Sequence, residues 1–99
     1  MTEQLSADHF RPHLTKLFKV RGGRHGLRLT TVHTPSLSDE QRRMFVREPF
    51  TLLFEGPAAD VLPEGQYAFD VEDGAAFEFY VIPIHTMSRD RQDYQAVFN

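Results

Sequence analysis

These 99 residues contain no cysteine and no tryptophan. Without cysteine, disulfides, thiolate metal sites and cysteine nucleophiles are all excluded. No stretch approaches the roughly 18 consecutive apolar residues of a membrane span. The opening Met1-Thr-Glu-Gln-Leu-Ser-Ala-Asp has neither the basic cluster nor the apolar centre of a secretory signal. A cytoplasmic protein with no membrane partner is the expectation. Excess positive charge is also missing: 11 Lys and Arg stand against 14 Asp and Glu, a formal charge of -3. Nucleic-acid-binding domains usually concentrate Lys and Arg on one face, so nucleic acid is not an expected partner. The basic residues are nevertheless uneven, with Lys16, Lys19, Arg21, Arg24 and Arg28 near the beginning.

Aromatic side chains are plentiful, with nine Phe and three Tyr, and 40% of the chain is hydrophobic. That is enough for one core and leaves no room for a second domain, so residues 1–99 read as a single β-rich domain. Ser6 is placed as an N-cap, with Asp8 in the first turn of a short helix that Pro12 limits. Leu5, Phe10 and Leu14 would share its apolar side. "KLFKVR" and "LRLTTVHT" flank Gly22-Gly23-Arg24-His25-Gly26 and read as a hairpin. In its second arm Leu27, Leu29, Thr31 and His33 share one face, which is the inner one at its beginning.

Residues 35–49 are irregular. Ser38 and Gln41 have capping-box spacing for one helical turn, and Met44 and Phe45 would anchor the loop. Alternation then sharpens through Phe50, Leu52 and Phe54, through Tyr67, Phe69 and Val71, and through Phe77, Phe79 and Val81. Leu62-Pro63-Glu64-Gly65 and Asp73-Gly74 separate these runs as turns, so residues 50–83 read as a three-strand meander. "YQAVFN" supplies a last strand with Tyr94, Ala96 and Phe98 inward. The same alternation sends Leu53, Tyr80, Ile82 and Val97 outward, an apolar surface that a partner could use.

Few residues suggest chemistry. His9 and His13 have the i, i+4 spacing of a metal pair, with His33 or His85 as a third ligand, but Pro12 lies between them and a solvated helix surface is the plainer reading. The Arg24-His25 turn could offer a guanidinium and backbone amides to an anion. It has no Walker or dinucleotide spacing, and its glycines are what a hairpin turn requires. The carboxylates Asp60, Glu64, Asp70, Glu72, Asp73 and Glu78 fall mostly in turns or on outward faces, and no serine occupies a nucleophile elbow. Arg42 and Arg43 beside Met44 and Phe45, with Arg47 following, have the composition of a binding loop or of a solvated loop pinned by Phe45.

"PFTLLFEGP", "LPEGQYAFDVED", "FEFYVIPI" and "YQAVFN", in that order, resemble a family of small uncharacterised bacterial proteins, a domain of unknown function. Its pattern is F-x-L-L-F-x-G-P, L-P-x-G-x-Y, a Phe-rich strand running into a proline, and a terminal Y-x-A-V-F-N. The 36–47 loop is longer here than in that pattern. The resemblance carries no catalytic residues. It implies an association with phage-tail-like assemblies.

The expected fold is all-β with one short N-terminal helix: a small antiparallel barrel or rolled sheet of about six strands, its open end covered by residues 6–14. Closure would pair residues 94–98 with 16–21 or 27–34. The expected function is a non-enzymatic structural or protein-interaction module, without cofactor or metal, acting through a protein partner or self-association. Its candidate surface is Leu53, Tyr80, Ile82, Val97, Arg42, Arg43 and Phe45. A small-ligand-binding β-barrel is the alternative.

Overall fold

Alternating apolar residues build six antiparallel strands that close into a barrel in a computed structural model, which describes residues 5–44 and 48–98. The strands are β1 (Leu17–Val20), β2 (Gly26–His33), β3 (Phe50–Pro57), β4 (Gly65–Val71), β5 (Ala76–Ile84) and β6 (Arg91–Phe98). Two single-turn helices, α1 (Ala7–Phe10) and α2 (Asp39–Arg42), accompany them, and a 3-10 turn at Arg11–His13 continues α1. Around the barrel the order is β1-β2-β3-β6-β5-β4. This is a Greek key: β1, β2 and β3 follow one another, and β4 returns to lie beside β1.

That order corrects two sequence expectations. Residues 50–83 do not form a meander, because β3 pairs with β2 and β6 while β4 pairs with β1 and β5. The terminal strand does not join an early strand either. It fills the place between β3 and β5, matched to β3 from Phe50↔Phe98 to Pro57↔Arg91. The physical reason is closure: inserting β6 there gives β3 a full-length partner and joins it to β5, which closes the sheet. Because β3 and β4 lie on opposite walls, residues 58–64 must cross one end of the barrel. Leu62 plugs that end at 2% exposure, and its N–H donates to the Tyr94 hydroxyl at 2.8 Å.

α1 closes the other end. Phe10 is fully buried, with ring centroids 4.5 Å from Phe77, 5.6 Å from Phe98, 5.8 Å from Phe50 and 5.9 Å from Phe79. β5 and β6 are in register only from Ile82 to Ile84 against Asp93 to Gln95. Phe10 therefore completes the wall where the ladder between them stops. Between the two plugs, Phe18, Phe54, Phe69 and Phe79 stack or meet edge to face, and Phe50 stacks on Phe98 at 4.4 Å. Each such ring contributes roughly 1.5–3 kcal/mol relative to exposure. No charged side chain is buried among the described residues.

The inner face of β2 changes partway along. Leu27 and Leu29 are buried, but Leu29 pairs with Phe54 and Thr31 with Leu53, leaving Thr30 as an extra, bulged residue. Its hydroxyl donates to the Leu53 carbonyl at 3.1 Å. After the bulge Val32 packs against the core, while Thr31 and His33 are exposed, contrary to simple alternation. Met44, expected to anchor its loop, is 78% exposed, and Leu14, expected on the apolar side of the helix, is 37% exposed at the turn into β1. Phe45 lies outside the described residues.

Gly56 shows why β3 needs a glycine before its proline. A β-carbon there would meet Leu27 Cδ2 at 2.9 Å and Tyr94 Cε1 at 3.4 Å, so glycine lets these two buried side chains pack over the strand without either shifting.

Candidate interaction surface

Register brings the outward apolar residues together. Thr31 pairs with Leu53, Leu53 with Gln95 and Gln95 with Ile82, so one row crosses β2, β3, β6 and β5. The next row holds His33, Thr51 and Val97. Tyr80 lies two residues before Ile82 on the same face of β5. Leu53 and Ile82 are half-buried, whereas Tyr80 and Val97 are 45% and 50% exposed. Four residues from three strands thus form one apolar patch around Gln95.

Paired charges border this patch. The row Arg28, Glu55, Asp93 and Ile84 runs beside it. Arg91 Nε donates to Asp93 at 2.8 Å and lies 3.8 Å from Glu55. The Arg91 guanidinium holds the Asp93 carboxyl below its ordinary range. A groove of about 380 Å³, lined by Leu53, Ile84, Arg91 and Asp93 among others, connects the charged row to the apolar one. On the β4 side the Tyr80 hydroxyl donates to Glu64, which raises the Tyr80 pKa.

Arg24, Asp60, Asp73 and His13 are engaged at the barrel ends. Arg24 makes two hydrogen bonds to Asp60, at 2.9 and 2.8 Å, and His25 Nε2 lies 3.2 Å from the same carboxylate. The guanidinium that could have met an external anion therefore ties the first hairpin to the crossing segment, and it keeps the Asp60 pKa low. At the opposite end Asp73 accepts from Lys16 Nζ at 2.7 Å and from the Ala75 N–H at 3.1 Å. These bonds, Lys16 first, lower its pKa to about 2. His13 Nδ1 is 2.8 Å from the same carboxylate, an ion pair whenever the imidazole is protonated. His9 Nδ1 instead accepts from the Ser6 N–H at 2.9 Å, so the two imidazoles serve different contacts. Among the described residues, no three His, Asp or Glu side chains are grouped to hold a metal ion.

Arg42 and Arg43 are exposed at α2, whose capping box joins Ser38 and Gln41 at 3.0 and 3.2 Å. The described side chains do not link these arginines to the apolar patch. Sequence reasoning missed the Lys16–Asp73 and Arg24–Asp60 pairs, which span 57 and 36 positions and leave no local signal.

The fold and this surface define a small, filled Greek-key barrel with an apolar patch on one wall. The chain belongs to the family whose model matches residues 5–98, described as Domain of unknown function (DUF6916). Among curated proteins and solved structures, none matches it. No helix among the described residues is long and apolar enough to cross a membrane.

Proposed function

We propose that this protein is a non-catalytic interaction module that docks a protein partner on the outer wall formed by β3, β6 and β5. The observation that carries this reading is the convergence of Leu53, Tyr80, Ile82 and Val97 on that wall. The inward rings already fill the barrel, so these four residues add little to the core. An interface core is typically apolar with a polar rim, and the patch edged by Arg91, Asp93 and Glu55 has that composition. The filled interior favours this reading over a ligand-binding barrel, in which the aromatic inner face would line a pocket instead of packing on itself. The setting, drawn from the resemblance, is an accessory role in a phage-tail-like assembly.

The test is affinity capture from the native host, with mass spectrometry of what is retained, using the unmodified protein and a Val97→Asp variant. Val97 is half exposed, so the variant should keep its thermal midpoint and lose the partner. Equal capture by both proteins, or a small molecule copurifying in place of a protein, would overturn the proposal.

A further inference from the structure

Residues 13–16 turn the chain from the 3-10 segment into β1. Leu14 has φ -54° and ψ 136°, Thr15 has φ 72°, and the Lys16 N–H donates to the His13 carbonyl at 3.0 Å. These values describe a type II turn, whose third residue must take positive φ and is normally Gly or Asn. A β-branched threonine in that position is strained. Thr15 is held there in part by its N–H donating to the Leu29 carbonyl at 2.8 Å.

Immediately before this strained turn lies the segment that plugs the barrel. A single turn of helix is not stable on its own, so residues 7–10 take their shape from the socket they enter. The rings around Phe10 belong to the barrel wall: Phe50 of β3, Phe77 and Phe79 of β5, and Phe98 of β6. The second attachment, His13 to Asp73, also reaches the wall, at the turn between β4 and β5. Neither contact depends on the plug and the barrel belonging to the same chain. A socket indifferent to the source of its plug, next to a short strained hinge, is the arrangement in which identical elements exchange between copies.

The geometry points to such an exchange: residues 5–14 of one copy seat in the barrel end of a second copy, reciprocally, with Thr15 as the hinge. In the exchanged dimer residues 13–16 run extended, a conformation that suits threonine. Phe10 keeps its four aromatic neighbours. The contact is made on the inner side of β3, β5 and β6 at the end of the barrel, not on the outer face that carries the docking patch, and does not rest on the docking proposal.

Because the chain has no cysteine, an engineered pair gives a clean report. A chain carrying His13→Cys and a chain carrying Asp73→Cys are unfolded, refolded together at high concentration and oxidised. The expected product is a disulfide-linked heterodimer that disappears when the first chain also carries Phe10→Ala. Light scattering on the cysteine-free protein, refolded in the same way, decides the matter independently of whether the thiols pair. A dimer is expected, and Thr15→Gly, which accepts positive φ without strain, should lower its association constant by about tenfold or more. A heterodimer insensitive to Phe10→Ala, or a wholly monomeric cysteine-free protein, would overturn the inference.

Discussion

Replacing Tyr94 by Phe isolates the single hydrogen bond that fastens the crossing segment to the barrel. The Tyr94 ring is fully buried and its hydroxyl accepts from the Leu62 N–H at 2.8 Å, with Leu62 itself at 2% exposure. The substitution keeps the ring and its packing but leaves a buried backbone N–H without a partner. An unsatisfied group of that kind costs about 1–3 kcal/mol. In a domain of this size each kcal/mol moves Tm by about 4–8 °C. Urea unfolding should therefore show a lower midpoint with an unchanged m-value, since the surface exposed on unfolding is the same. The pH dependence gives a second signature. Burial pushes the Tyr94 phenol above its ordinary value of 10.0. A raised folded pKa stabilises the protein fully below pH 10, and that contribution is lost as pH rises through the folded value. The gap between the two proteins should accordingly narrow in alkali. A Tyr94→Phe variant as stable as the parent at neutral pH would refute the idea that this bond holds the Leu62 plug.

Gly56→Ala should destabilise by roughly 1–3 kcal/mol in urea unfolding, because its β-carbon would lie 2.9 Å from Leu27 and force β3 or that side chain to shift. Asp73, lowered from 3.8 to about 2, stabilises the fold above its unfolded pKa, and this stability is lost as pH falls from 3.8 towards 2. An Asp73→Asn variant, compared by thermal melts across that range, should show a shallower acid decline than the parent. Deleting residues 94–99 removes most of the inward half of β6 from between β3 and β5, so circular dichroism should show loss of the cooperative transition, where a dispensable tail would leave the midpoint in place.

The sequence made the faces legible but hid the order of the strands. Phe50, Leu52 and Phe54, and again Tyr94, Ala96 and Phe98, reveal their inward direction because side-chain alternation is local to one strand. Which strand lies beside which depends on closure of the whole barrel. Leu62-Pro63-Glu64-Gly65 therefore reads as a hairpin turn, yet it belongs to a segment that crosses the barrel end. The bulge at Thr30 was hidden for a similar reason, since Thr30-Thr31 fits an uninterrupted strand equally well. The outward direction of Leu53, Tyr80, Ile82 and Val97 could be read directly. Their assembly into one patch required the register of β6 against β5 and, about forty positions away in sequence, against β3.

The segments that carry the family resemblance are largely occupied with architecture. Gly56 makes room for Leu27 and Tyr94, Leu62 plugs one end, and the Tyr67 hydroxyl donates to the Pro63 carbonyl at 2.7 Å to brace that crossing. Tyr94 fastens it and Phe98 stacks on Phe50. Val97 and Tyr80, which alternate with the residues that build the core, are left exposed on the outer wall.

Native-state hydrogen exchange of the β6 amides tests the central claim, a closed barrel with β6 as an interior wall, most directly. In that arrangement the amides of Asp93 to Gln95 lie between β3 and β5 and should exchange only through global unfolding, with protection matching the free energy from urea. Exchange of those amides at much lower free energy, while β2 and β3 stay protected, would contradict it.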